Sequence, residues 1–340
     1  MDPAPTPADV AVLLLSWNQS RFAAETVRSV ADQTGVTIEV VAVDNGSTDG
    51  SADVVAEAAR SHGLTLDPIR NDTNRGISTA LNQALALTTA PFVVPFACDD
   101  VMLPGRLATQ AGLLRALPTT VAGVCGVAVV CDADGVDVAG EDDLPWRLGT
   151  QLVNDPVRAR LGLLGADGPL MPATMLRRST LDALGGFDES YPFEDLPLYY
   201  GAVFGLGQTF HHHPEPVTRY RWHGGNGSNN LVEFVPASIR CRNAVPADRL
   251  SPAERSARDD YVAELRRNLV WIRRADRKDR SLAAWTDVRT RCRERDPGAR
   301  RSAVGLLTRR GTLPRVRARA LVAALAPAAV ARLARGQVAP

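Results

Sequence analysis

VAVLLLSWNQSRFAAETVRSVADQTGVTIEVVAVDNGSTDGS, residues 10–51, decides the fold. It opens on six apolar residues, 10–15, too few for a helix of ordinary length. In the next segment Phe22, Ala23, Val27, Val30 and Ala31 recur at the spacing of one helical face. A second apolar run, IEVVAV, follows at 38–43. Strand, helix and strand at this spacing make a βαβ unit, whose crossover forces the two strands to lie parallel.

The rhythm continues outward. LTLDPI (64–69) and PFVVPF (91–96) follow, so successive runs start 28, 26 and 27 residues apart. SADVVAEAARSHG (51–63) and ISTALNQALAL (77–87) read as the intervening helices, the first closed by Gly63 and the second opened after Gly76. The expectation is an α/β fold with a mostly parallel sheet flanked by helices.

Ligands of such sheets bind at the carboxyl ends of the strands. Those ends carry Ser16-Trp17-Asn18, then Asp44 to Gly50, then Asn71 to Gly76, then Cys98-Asp99-Asp100. One edge therefore gathers Asp44, Asp99 and Asp100. Two neighbouring carboxylates can share a hard divalent cation and a sugar or ribose hydroxyl. In isolation such a pair is more often a turn or a helix cap, since Asp is favoured there. At the end of the fourth strand of this series, with Pro104 opening the next helix, the ligand reading is preferred. Asp44, last in its strand, is read as a ligand to a base N–H or a ribose hydroxyl. Asp49 and Ser51 are read as a plain capping turn.

Further along, AGVCGVAVVCDADG (122–135) reads as strand and turn, and GTQLVNDPVRARLG (149–162) as a helix near the cleft. PATMLRRSTLDALGGFDES (172–190) reads as strand, short helix and Gly-rich turn. EDLPLYYGAVFGLG (194–207) is a helix opened by Glu194 and Asp195. TFHHHPEPVTRYRWHGG (209–225) is a strand with an exit loop, in which the His211–His213 run reads as an ordinary strand end near Pro-Glu-Pro. From 236 on the chain is Ala- and Arg-rich and helical in pattern, with turn signals at Pro246, Pro252, Pro297-Gly298 and Pro314. The expected division is 1–235 for catalysis and 236–340 for a basic helical region.

The net charge is +1, which excludes an electrostatic nucleic-acid binder as a whole. From Arg240 to the end the net is +15, and before it −14. That basic end is read as solvated helices, with peripheral membrane contact or a homo-dimer interface as the sharper readings. Five cysteines, at 98, 125, 131, 241 and 292, show neither zinc spacing nor a disulfide framework. No signal-peptide pattern opens the chain, and the apolar stretch 318–334 is broken by Arg319, Pro327 and Arg332. The expected location is cytoplasmic, if not peripheral at the inner membrane face.

Taken in order, residues 9–225 resemble the family-2 glycosyltransferases of GT-A fold. VAVLLLSWNQSRFAAETVRSVADQT, IEVVAVDNGSTDGS, NRGISTALNQAL and PFACDDVMLPGRL carry the likeness. The resemblance implies an inverting transfer from a nucleotide-sugar donor, with Mn2+ or Mg2+ as cofactor. It implies that Ser16 and Asn18 lie beside the nucleotide, that Asp44 binds the base, and that Asn45 sits near base or ribose. Arg75 would hold base or phosphates. Asp99 matches the family's metal ligand and Asp100 is its partner. Of the Glu194-Asp195 pair, Asp195 would be the general base and Glu194 would contact the acceptor or orient its neighbour. His223 would reach the metal, or else close the loop or contact the acceptor. Trp222 would stack on a sugar or base, or pack. Ala97 departs from the pattern, which often has an Asp there, and Asn45 stands where many members have a second Asp. The acceptor class is a saccharide, lipid-linked or secondary-metabolite hydroxyl.

Two other classes compete. A GT-A-like binding or scaffolding protein would fit Ala97. A nucleotidyltransferase needs a glycine-rich basic loop after the first strand, and SWNQSRFA has no glycine. A dinucleotide-binding dehydrogenase is discarded because no G-x-G-x-x-G follows the first strand.

Overall fold

The computed structural model describes residues 8–138, 154–165, 168–227, 230–270 and 272. The chain divides into two compact units, Met1–Ala263 and Glu264–Pro340. In the second, residues 264–270 are helical. The turn signals at Pro297-Gly298 and Pro314, the apolar stretch 318–334 and Cys292 lie outside the described residues.

In the first unit, strands β1 (Val10–Ser16), β2 (Ile38–Asp44) and β4 (Phe92–Ala97) form at the apolar runs. Helices α1 (Ser20–Ala31), α2 (Ser51–Ser61) and α3 (Ile77–Leu85) connect the strands in turn. The run at 64–69 becomes only a stub, β3 (Ile69–Arg70), paired as Val43↔Ile69 and Asp44↔Arg70. Pro68 accounts for the late start, because it has no N–H to give a ladder. Pro95 is tolerated inside β4 because pairing with the next strand covers only Phe92 and Val93.

The remaining elements are β5 (Val101–Met102), α4 (Arg106–Ala116), β6 (Val121–Cys131), α5 (Pro156–Leu164), β7 (Thr174–Arg177), α6 (Arg178–Leu184), α7 (Asp195–Tyr200), β8 (Thr209–Arg221) and α8 (Leu231–Asn243). The sheet order is β3-β2-β1-β4-β7-β6-β8-β5. β3, β2, β1 and β4 run parallel, β7 is antiparallel to both neighbours, and β6 and β8 are parallel. β8 runs on through Pro214-Glu215-Pro216, where a strand end was expected. Its register jumps from Cys125↔His212 to Val127↔Pro216, so three residues bulge opposite Gly126. A Cβ at Gly126 would lie 2.4 Å from Val217 Cγ2, so only glycine fits there.

The core has two layers, one on each face of the sheet. Alternation along β1 sends Ala11, Leu13 and Leu15 to the layer under α3, α6 and α7. Val10, Val12 and Leu14 join the layer under α1, α2 and α4. A strand buried on both faces reads as a continuous apolar run, which is why 10–15 shows no polar alternation. Among the described residues no helix is long and apolar enough to cross a membrane.

Candidate functional site

Strand register brings the site together. Ser16 pairs with Asp44, and Leu15 with both Val43 and Ala97, so the carboxyl ends of β2, β1 and β4 lie level. Asp99 and Asp100 follow β4 directly.

Asp44 is buried at 4% exposure. Its Oδ2 accepts from Ser16 Oγ at 2.7 Å and its Oδ1 from Ser47 N at 2.9 Å. Asn18 sits at φ 52, a conformation that Asn tolerates better than most residues. It donates its N–H to Ser47 Oγ and accepts from Thr48 N with its side chain. The β1 and β2 loops are thus stitched into one wall. Gly46 holds the same wall against the next loop. Its φ is 80 and a Cβ would lie 2.4 Å from the Thr73 carbonyl carbon. The Asn45 side chain donates to Asn74 Oδ1 and accepts from Asn71 Nδ2 and from the Arg75 N–H. Its amide therefore shapes the turn that carries the exposed Arg75. Asp49 bridges two helix starts, accepting from Ser51 and Ser20. Partial burial pushes its carboxyl up, but those bonds outweigh it and bring it down to about 2.

The two adjacent acids part company. Asp99 Oδ2 meets His223 Nε2 at 3.0 Å. His223 Nδ1 lies 3.1 Å from Gly225 N, a contact that orients the ring with Nε2 toward Asp99. Asp100 is 1% exposed. Its Oδ1 accepts from Arg221 N at 2.9 Å, while its buried Oδ2 finds no donor among the described residues. Burial, and then the charge of Asp99, hold its carboxyl well above the usual range. Burial also lowers the Arg106 guanidinium to about 9, opposed by Asp100.

Glu194 and Asp195 open α7, with Glu194 as the N-cap residue. Asp195 Oδ1 accepts from Leu196 N at 2.6 Å. Desolvation, then the charge of Asp195, raises Glu194 to about 8. Desolvation also raises Asp195, opposed by its backbone hydrogen bonds. Trp222 is half-buried, its N–H bonded to Cys131 O at 2.7 Å. The His211–His213 run lies away from this edge. His211 and His212 line an apolar cavity where α5 covers the first halves of β6 and β8. Burial lowers both histidines. That is also where the described part of the helix expected near the cleft packs.

Two residues here are only weakly marked in the sequence. Trp17 is 44% exposed beside Ser16, where its place in the loop after an apolar run was the available cue. Arg221 is buried at the end of β8, and only its position two residues before His223 marked it.

The arrangement offers a carboxylate, an imidazole and a wall of hydroxyl and amide groups at one sheet edge. Asp99 and His223 are an oxygen and a nitrogen donor already facing one another, which fits Mn2+ better than Mg2+, with other positions left to phosphate and water. Among the described residues no three His, Cys, Asp or Glu side chains converge into a closed cage.

Residues 11–160 match the model of glycosyl transferase family 2. The succinoglycan biosynthesis protein ExoU of Rhizobium meliloti is 36% identical over 104 residues, 31% of this chain and 30% of that protein. The putative glycosyltransferase EpsE of Bacillus subtilis is 29% identical over 106 residues, 31% of this chain and 38% of that one. The chain thus spans about a third of the length of the curated relatives it matches. A mannosyltransferase from Pyrobaculum calidifontis, solved with GDP-Man and Mn2+, superposes with a TM-score of 0.55 at 19% identity, over 98% of this chain and 84% of that one. Residues 1–349 of Staphylococcus aureus TarS with UDP-GlcNAc give 0.55 at 18%, over 98% and 93%. Those likenesses show the GT-A fold. Through residues 11–160, the chain is similar to glycosyl transferase family 2.

Proposed function

We propose that this chain transfers a sugar from a nucleoside-diphosphate donor to an acceptor hydroxyl, with inversion and with a divalent cation. The observation that carries the reading is the Asp99–His223 pair, 3.0 Å apart, beside the level row of Ser16 and Asp44. Asp99 and His223 would hold Mn2+ or Mg2+, which would supply positive charge against the departing diphosphate. Asp100 fixes the segment from behind. Asp44 takes the base or ribose. Ser16 and Asn18 line the nucleotide, and Asn45 acts through the turn it shapes. Arg75 faces the phosphates from that turn, and the exposed Trp17 ring offers a stacking surface. Trp222 and Glu194 belong to the acceptor side.

Asp195 accepts the proton of the acceptor hydroxyl. That oxygen forms the new bond to the sugar's anomeric carbon, the bond to the diphosphate breaks on the opposite face, and the leaving group keeps the electron pair. Glu194, raised to about 8, stays protonated at neutral pH beside Asp195. The division of labour is 1–235 for catalysis and the basic region from 236 for contact with a membrane surface or a second copy.

A thermal-shift screen of UDP-, GDP- and dTDP-sugars, with and without Mn2+, tests the donor reading. Stabilisation by one nucleotide class that grows with Mn2+ is expected. No response to any of them counts against it.

A further inference from the structure

We propose that Arg221 is a positioning residue that presents Asp99 and His223 to the cation; this rests on the reading of that pair as the cation site. Arg221 is the last residue of β8 and is 3% exposed. Its main-chain N–H donates to Asp100 Oδ1 at 2.9 Å. Its side chain then serves three further pieces of the molecule. Nε donates to Asp99 O at 2.9 Å. Nη1 reaches Asp132 O at 3.4 Å and Ala133 O at 3.3 Å, in the turn after β6. Nη2 donates to Glu25 Oε2 of α1 at 2.7 Å.

The same residue anchors the loop that carries His223. Asn226 Nδ2 donates to Arg221 O at 3.0 Å, and Asn226 Oδ1 accepts from His223 N at 2.6 Å. Phe22 completes the arrangement. The guanidinium carbon of Arg221 lies 4.8 Å from its ring centroid. The His223 ring lies 4.8 Å from the same centroid. One guanidinium thus ties the backbone of Asp99, α1 and the β6 turn into a single frame, and the main-chain carbonyl of the same residue holds the His223 loop to it. A forked donor is needed for this, because the accepting oxygens lie in different directions. Lysine offers a single point of charge on a flexible stem and cannot match the fork. Residues that hold metal ligands from behind typically change metal affinity about 10- to 100-fold when altered.

The test is a Mn2+ titration of the full chain, using MnCl2 alone, followed by electron paramagnetic resonance. Wild type, Asp99→Ala, Arg221→Lys and Glu25→Gln are compared. Arg221→Lys is expected to bind Mn2+ at least about tenfold more weakly. In turnover it is expected to need more Mn2+ for half-maximal rate, with excess Mn2+ restoring that rate. A residue that merely supports the fold would lower Tm and leave the Mn2+ affinity of the folded chain unmoved. Glu25→Gln removes one partner at a half-exposed site, keeps the fold, and is expected to shift affinity the same way by a smaller factor. It decides the matter should Arg221→Lys fail to fold. Binding lost in Asp99→Ala but within about twofold of wild type in both other variants overturns the role of Arg221 alone. No Mn2+ binding by the wild type overturns the cation site and this role with it.

Discussion

Asp195 and Glu194 sit side by side yet are set for different tasks. Both are raised by desolvation, and Glu194 further by the charge of Asp195. Backbone hydrogen bonds oppose the rise at Asp195, and the proposed base is Asp195. Asp195→Asn is expected to remove transfer while leaving donor binding within about twofold; such a base typically contributes about 10²–10⁴ in rate. Loss of donor affinity in that variant would assign the residue to the donor instead. The proton on Glu194 also bears on stability. Its folded value near 8 lies above the ordinary 4.5, so its stabilising effect is complete below pH 4.5 and is lost as pH rises through 8. Glu194→Gln mimics the protonated form, so its Tm should gain on wild type between pH 6 and pH 9. Parallel Tm curves would contradict the shift. The two acids were legible in the sequence as residues. Their environment was not, because desolvation depends on what packs around α7.

At the scale of elements, the strand ends did most to make the site readable. β1 and β4 are apolar runs because both faces are buried, and β2 is one except for Glu39 although its first four residues are only partly covered, so their last residues could be placed in advance. Asp44 and Asp99 follow from that. β3 did not, because Pro68 truncates its pairing, and the bulge in β8 depends on Gly126 meeting Val217 across strands. Arg221 and Trp17 were opaque for a related reason: one is defined by oxygens from three distant segments, the other by the absence of cover. The loops after the strands are as demanding as the strands. Gly46→Ala must accommodate both a positive φ and a Cβ 2.4 Å from Thr73. A cost of about 1–3 kcal/mol in urea unfolding is expected, together with weakened nucleotide binding. A variant as stable as wild type would contradict the close approach. Leu13→Ala, in contrast, opens the core under α3 and should cost ~2–5 kcal/mol. Being remote from the edge, it should leave donor affinity of the folded protein unchanged.

The whole molecule places its charge unevenly, −14 before Arg240 and +15 from there on. An acidic body with a basic end is suited to an anionic surface, and a lipid-linked acceptor would lie at one. Co-sedimentation of the full chain with phosphatidylglycerol vesicles is expected at low salt. Release by raised salt is expected too, since exposed charge pairs are screened beyond about 8 Å at physiological ionic strength. Equal binding to neutral phosphatidylcholine vesicles would contradict an electrostatic contact. Catalysis as proposed rests on Asp99 and the cation it would hold. The most direct measurement is release of nucleoside diphosphate from the responding donor, by wild type and by Asp99→Ala at matched Tm. The account predicts release that requires Mn2+ or Mg2+, stops with EDTA and is absent from the variant. Release by the variant at the wild-type rate, or by the wild type in EDTA, would contradict it.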